Sequence, residues 1–172
     1  MLPPTAARER GAIHRRVIET GRPSSQHEFL HDSRLRSTVL PLDADGFGHA
    51  GVLVVLKHAP FEPHLDSAAA RLPLIASPAL GRLVHLSSRE LQVLYYIASG
   101  MTTNAIAESA CRSSKTIEKQ INSIHTKLRT GSRAELVRFA AERGIQSFSD
   151  DEWQDIVEGA RVTRREMETR TI

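Results

Sequence analysis

The chain has 172 residues and a net charge of +3, with 40% apolar, 25% charged and 5% aromatic residues. At ~100–200 residues per domain there is room for one domain or two small ones, so a large multi-domain enzyme is excluded. The composition is that of a globular chain with an aliphatic core, and wholesale disorder is excluded. The apolar run Val52–Leu56 is far short of the ~20 residues of a spanning helix, and residues 1–16 lack the apolar stretch of a secretory signal. The single cysteine, Cys111, precludes an internal disulfide. A cytoplasmic protein without a membrane partner is expected.

Taken in chain order, Ile13, Val17 and Ile18 at helical spacing predict a short helix over 6–20, stopped by Gly21 and Pro23. HEFLHD (27–32), RLRSTVLPL (34–42) and GVLVVL (51–56) predict two or three antiparallel strands, with a hairpin at Asp45-Gly46 inside the turn signal Asp43–Gly46. Pro60, Pro63, Pro73 and Pro78 mark 59–85 as a linker, with a short helix over 65–72.

From residue 86 onward the chain is punctuated by caps. Ser87 with Glu90 is a capping box opening a helix through Leu91, Leu94, Ile97 and Ala98 to Gly100. Thr102 caps a second, two-turn helix with Ile106, Ala107 and Ala110 inside. Ser113 caps a third, Ser114–Leu128, whose Ile117, Ile121, Ile124 and Leu128 fall on one face. Ser132 with Glu135 opens a fourth, through Leu136, Val137, Phe139 and Ala140 to Gly144. Residues 86–145 hold three Lys and six Arg against five Glu, a local +4 that leaves −1 on the remainder.

The second and third helices, joined by a tight turn, have the layout of a helix-turn-helix DNA reader. With the aliphatic quartet inward, Lys115, Lys119, Asn122, Ser123 and Thr126 fall on the opposite face. Lysine reaches guanine acceptors or phosphates, asparagine pairs with adenine edges and hydroxyls bind phosphate oxygens. The start of the third helix adds partial positive charge and free N–H groups.

Residues 86–145 closely resemble the LuxR/FixJ (GerE-type) DNA-binding domain, through Leu86, Arg89-Glu90, Val93-Leu94, Gly100, Ile106-Ala107, Ser113, Thr116-Ile117, Ile124, Lys127-Leu128, Arg133 and Glu135-Leu136-Val137. The resemblance implies that the third helix enters the major groove of double-stranded DNA. It places Glu118, Lys119 and Asn122 near bases and Thr103, Lys115 and Thr116 near phosphates, with Thr102 beside them. It also implies a homodimer through the fourth helix, where Ala134, Val137 and Ala141 form a flank of small residues, and RNA polymerase as a further candidate partner. Departures are present. Ala105 removes the reciprocal partner of Thr102, at ~1 kcal/mol or less. Ala110 and Arg112 stand where the family prefers aliphatic residues, which either thins the packing or lays the Arg112 stem across the core edge. Gln120 replaces a common His, and Glu118 brings a negative charge to the groove.

Residues 17–30, 34–42 and 50–56 resemble the final helix and last three strands of a PAS domain, whose pocket-forming front half has no counterpart here; no ligand or cofactor is expected. His27 and His31 read as surface histidines without a convergent metal cluster, and His14 as exposed. Asp43 and Asp45, near Glu28, read as turn chemistry and not as a catalytic carboxylate pair. Cys111 reads as a small filler thiol. In the tail, Trp153, Ile156, Val157, Ala160 and Met167 share one face of a fifth helix, over 151–167, that packs on its own domain or on a second subunit. Asp150, Asp151 and Glu152 suit its start and Arg161, Arg164 and Arg165 its end.

The expectation is an α+β chain without enzymatic activity: a partial PAS-like antiparallel β segment (1–58), a linker (59–85), an all-α four-helix LuxR-type helix-turn-helix domain (86–145) and a helical tail (146–172). Its expected function is sequence-specific transcriptional regulation. The competing reading is a protein-interaction module with a degenerate helix-turn-helix, supported by Ala105, Arg112 and Glu118.

Overall fold

The structure, a computed structural model, describes residues 2–58 and 72–169. It is an α+β arrangement. Helix α1 (Pro4–Thr20) begins with proline in its first turn, where no N–H is missed, and ends at Gly21, whose left-handed backbone (φ 63°) lets its N–H reach Val17 O. Strands β1 (Ser24–Leu30), β2 (Ser33–Leu42) and β3 (Gly51–His58) form an antiparallel sheet in the order β1-β2-β3.

β2 and β3 pair antiparallel across the expected Asp43–Gly46 connection, but the tight two-residue turn lies between β1 and β2. His31 (φ 51°) and Asp32 (φ 60°) make the two-residue turn between β1 and β2, both in the left-handed region that primed turns demand. The DADG stretch instead makes α2 (Ala44–Phe47), a single helical turn. Asp43 accepts from the Asp45 N–H at 3.2 Å, which caps a helix rather than flanking a hairpin turn, and Gly48 closes it with φ 77°.

Strand alternation gives the sheet two different faces. Gln26, Glu28 and Ser37 face α1, where the Arg10 guanidinium meets Glu28 at 2.5 and 2.8 Å and donates to the Ala6 and Ser77 carbonyls. The opposite face carries Phe29.

The described part of the expected linker is packed. Pro73 O accepts from His27 N–H and Ile75 N–H donates to His27 O, both at 2.8 Å, while Ala79 N–H donates to Phe29 O at 2.9 Å. Residues 73–79 thus run parallel to β1 along its outer edge and lead into a 3₁₀ turn, Gly81–His85. Pro73 contributes only a carbonyl, so its missing N–H breaks no bond. The helix expected over 65–72 lies, up to residue 71, outside the described residues.

Helices α3 (Ser88–Ala98), α4 (Thr103–Ser109), α5 (Ser114–Leu128) and α6 (Arg133–Glu142) follow the caps read from the sequence. Ser87 and Glu90 complete their capping box, whereas Glu135 reaches past Ser132 to the Gly131 N–H at 2.6 Å, leaving only half of the second box. A box that was not anticipated, Ser149 with Glu152, opens α7 (Asp150–Thr169).

Trp153, Ile156, Val157 and Ala160 of α7 are buried in the chain's own core, against α3 and the sheet; the side chain of Met167 lies outside those described. Phe29, Phe148 and Trp153 meet edge-on or tilted at 5.9–6.0 Å, and Trp153 stacks on Tyr95 at 5.4 Å. Sheet and helices therefore share one core. Arg164, expected to serve the end of its own helix, instead bonds Val84 O and Leu86 O. Among the described residues no helix is long and apolar enough to cross a membrane.

Candidate nucleic-acid interface

The third predicted helix is α5, and its Ile117, Ile121, Ile124 and Leu128 are all buried. It meets α4 through the turn Ala110–Ser113, in which Cys111 adopts φ 49° and Arg112 N–H returns to Ala107 O at 2.9 Å. Thr102 and Ser113 cap the two helices by accepting from Ala105 N–H (3.3 Å) and Thr116 N–H (3.2 Å). Ser114 Oγ donates to Asn104 Oδ1 at 2.8 Å, a cross-link that sets one helix against the other. Thr102 retains its capping bond although Ala105 supplies no carboxylate in return. Arg112 and Cys111 are exposed: the arginine stem does not cover the core edge, and the thiol fills no interior space.

On the outer side of α5, Lys115, Glu118, Lys119, Asn122 and Thr126 are exposed and Thr116 is half-buried; Thr102 is exposed and Thr103 half-buried at the start of α4. At 100° per residue Lys115, Lys119, Asn122 and Thr126 share the outer face of α5, with Thr116 and Glu118 on its two flanks. Thr126 Oγ1 donates back to Asn122 O at 3.1 Å and Thr116 Oγ1 lies 2.9 Å from Ser113 Oγ, so both hydroxyls have local partners. Ser123 departs from the expectation. Its hydroxyl donates to Glu90 Oε1 of α3 at 2.6 Å, which commits its proton to the protein interior side.

Glu90 is the residue whose role sequence reading did not reach. Beyond its cap, where it accepts from Ser87 N–H at 2.6 Å, its carboxylate receives Lys127 Nζ at 2.7 and 2.8 Å together with Ser123. Burial alone would raise its pKa. The Lys127 ammonium, the Ser123 hydroxyl and Ser87 outweigh that and hold it at about 2, below the ordinary 4.5. The cap motif was legible; the link to α5, across 37 residues, has no local signal.

Two arginines fix the remaining geometry. Arg82 Nη2 donates to Leu128 O at 2.7 Å, placing a cation at the α5 C-terminus where the helix dipole favours it. Arg133 donates to Met101 O, tying α6 to the entrance of α4. On α6, Leu136, Phe139 and Ala140 face the core, while Ala134 is exposed, Val137 is 38% exposed and Ala141 half-buried.

Of His14, His27 and His31, the first two differ from expectation. His27 is buried in β1, and His14 is half-buried, lining a cavity of about 100 Å³ under α1 with Gln26 and Glu28. His31 is exposed in its turn. Asp43 and Asp45 are exposed in α2 and its cap, and Glu28 is paired with Arg10. Among the described residues no three His, Cys, Asp or Glu converge as for a metal ion.

Compared with known proteins, residues 84–140 match the family described as bacterial regulatory proteins, luxR family. The transcriptional activator protein ExaE of Pseudomonas putida is 35% identical over 96 residues, covering 54% of this chain and 44% of its own length. The oxygen regulatory protein NreC of Staphylococcus epidermidis is 41% identical over 63 residues, 37% of this chain and 29% of its own. The chain therefore spans less than half the length of these relatives. Among solved structures, a Vibrio cholera VqmA–ligand–DNA complex aligns over 86% of this chain and 68% of its own, at 23% identity and a TM-score of 0.37, a likeness too low to carry an inference. The matched family is described as regulatory. Residues 84–140, the part similar to the luxR family, comprise α3 to α5 and most of α6 within a larger α+β chain.

Proposed function

We propose that the chain is a sequence-specific, DNA-binding transcriptional regulator that reads the major groove with α5. One observation carries this reading: the aliphatic side of α5 is wholly buried, while Lys115, Glu118, Lys119, Asn122 and Thr126 stand exposed on its outer side. Lys119 and Asn122 are assigned to base edges, with Glu118 beside them as an acceptor for a cytosine amino group. Lys115, Thr116, Thr102 and Thr103, near the positive ends of α5 and α4, are assigned to phosphates. Thr126 is kept at the far end of the groove face. Ser123 is removed from direct contact and assigned to holding α5 through Glu90.

The reading unit is taken as 86–145 and the sheet with α1 as a PAS-like support. The about 100 Å³ space under α1 falls below the ~300–1,000 Å³ of ligand pockets, and no small molecule is assigned to it. Ala134, Val137 and Ala141 are assigned to pairing two readers on adjacent half-sites, as small residues permit close helix approach. A cytoplasmic location and contact with RNA polymerase belong to the same proposal.

The test is a mobility shift of the full chain on random and selected duplex DNA at two salt concentrations, repeated with Lys119→Ala and Asn122→Ala. Specific retardation lost in both variants supports the reading. No retardation at low salt sinks it, and leaves the exposed Glu118 surface as a protein-interaction face.

A further inference from the structure

The sheet reaches the far end of α5 through Arg82. Gly81 follows the edge segment 73–79 and turns with φ 52° directly against the β1–β2 turn: a Cβ there would lie 3.0 Å from Asp32 N and from His31 C. The backbone at Gly81 is thus pressed onto that turn, and the next residue, Arg82, leaves it toward α5. Its Nη2 donates to Leu128 O at 2.7 Å, one of the carbonyls that a helix end leaves without an intrahelical partner. Its guanidinium carbon also lies 5.3 Å from the centre of the Phe139 ring on α6.

The same ring carries a second cation. Arg143 places its guanidinium carbon 3.7 Å from the Phe139 centre, and its Nε pairs with Asp32 of the β1–β2 turn at 3.4 Å. Two guanidinium groups on one ring repel each other, so the arrangement needs anions. Asp32 supplies one from a side chain only 13% exposed, and Glu142, at 61%, supplies a more solvated one. Arg34 N–H donates to Arg143 O at 2.8 Å, which ties the same corner to β2. Asp32 therefore acts on both arginines: its backbone seats Gly81, and its carboxylate seats Arg143. Asp32, Arg82 and Arg143 all lie outside residues 84–140, the part similar to the luxR family.

We propose that Arg82 is a positioning residue for DNA reading: it holds the C-terminal end of α5, and the β1–β2 turn, through Gly81 and Asp32, sets where it stands. The inference rests on the reading of α5 as the helix in the groove. Lys127, through Glu90, anchors α5 to α3 within the helical unit, whereas Arg82 anchors it to the sheet. With its last turn released, α5 keeps its exposed cations but loses a fixed angle to the bases, and base contacts demand that angle far more than phosphate contacts do. Sequence preference then depends on a sheet residue, Asp32, that is assigned no contact with DNA.

The test uses the full chain with Arg82→Ala, Arg82→Lys, Asp32→Asn and the double variant of Asp32→Asn with Arg82→Ala. Arg82→Ala is expected to lower the ratio of affinities for selected over random duplex about fivefold or more, at a temperature well below the unfolding midpoint of every variant. The slope of log affinity against log salt should stay as in the wild type; a slope lower by about one unit would make Arg82 a phosphate contact and overturn the inference. Arg82→Lys, which keeps a donor and a cation, should recover most of the ratio. Asp32→Asn should lower the ratio less and add little to Arg82→Ala, because both act through one side chain. Without DNA, the Arg129 and Thr130 amides, which bond His125 O at the end of α5, should exchange faster in Arg82→Ala. Additive losses, unchanged exchange, or a ratio that stays put while the thermal midpoint falls overturns the inference and leaves α5 as the reading helix. A wild type that discriminates between no duplexes overturns that reading first, and the inference with it.

Discussion

The Glu90 carboxylate of α3 and the Lys127 ammonium of α5 meet at 2.7 and 2.8 Å, with Ser123 of α5 on the same carboxylate at 2.6 Å. The proposed reading helix is thus held by a charged group on the helix behind it, through two residues one turn apart. Glu90→Gln keeps an acceptor for Ser87 N–H and loses the ion pair. Because Lys127 is partly exposed and regains water, the expected loss of stability is about 1–2 kcal/mol, measured by denaturant unfolding. Loss of base discrimination is expected to exceed loss of binding to random DNA, since α5 shifts while its charges remain.

The same carboxylate gives a pH dependence. Its folded pKa, about 2, lies below the ordinary 4.5, so its contribution is complete above about pH 4.5 and is lost as pH falls toward 2. Stability measured across that window is expected to fall less steeply in Glu90→Gln than in the wild type. Identical slopes would show that the carboxylate is not held by Lys127.

Phe29 brings the sheet into the core of the helical unit, lying 5.9 Å from Phe148 and 6.0 Å from Trp153. The caps and core pattern of the helices read from sequence suggest a self-contained unit, but a fragment of residues 80–172 leaves Phe148 and Trp153 without that ring. Phe29→Ala is expected to destabilise the full chain by about 3–5 kcal/mol. The fragment is expected to unfold at lower denaturant than the full chain, and equal midpoints would show that the ring cluster contributes little.

Gly159 lies where α7 crosses residues 76–78, and a Cβ added there would run into the Ala76 carbonyl and Pro78 Cδ. Helix propensity favours Gly159→Ala by about 1 kcal/mol. Overpacking against backbone costs about 1–3 kcal/mol, so a net loss is expected in thermal unfolding. A stabilised variant would mean that α7 is not seated on this segment.

The parts legible in the sequence are those whose signal is local. Ser87, Thr102, Ser113 and Ser132 each sit next to the helix they cap, and the spacing of Ile117, Ile121, Ile124 and Leu128 carries the burial of α5. What escaped depends on distant partners or on uncommon backbone. The His31–Asp32 turn uses positive φ on two residues other than glycine and so carries no turn signal, whereas Asp43–Gly46 does join the antiparallel pair β2–β3, as a helical turn instead of a tight one. The prolines of 73–78 read as linker because nothing local says that β1 needs an edge partner. Ser123 falls on the outward arc by angle alone, but the Glu90 carboxylate, 33 residues earlier, draws it back.

Val137 is exposed on α6 with Ala134 and Ala141 beside it. If this stripe pairs readers on DNA, Val137→Glu should weaken binding to duplexes carrying two half-sites far more than to a single half-site, by titrated mobility shift. Equal weakening on both duplexes would move the DNA-dependent contact away from α6.

The final prediction separates positioning from reading on α5. Lys115 stands exposed in the first turn, where the helix start favours phosphate, while Asn122 is exposed two turns further along. Lys115→Ala should weaken binding to all sequences and lower the slope of log affinity against log salt by about one unit, as one phosphate contact is lost. Asn122→Ala should cost roughly 1–3 kcal/mol at the preferred site, leave the salt slope unchanged and relax preference at one base pair per half-site. Equal loss of specific and non-specific affinity in the two variants would take base readout away from Asn122. If neither variant changes binding, this face of α5 does not meet DNA, and Glu118 with its exposed neighbours becomes the place to look for a protein partner.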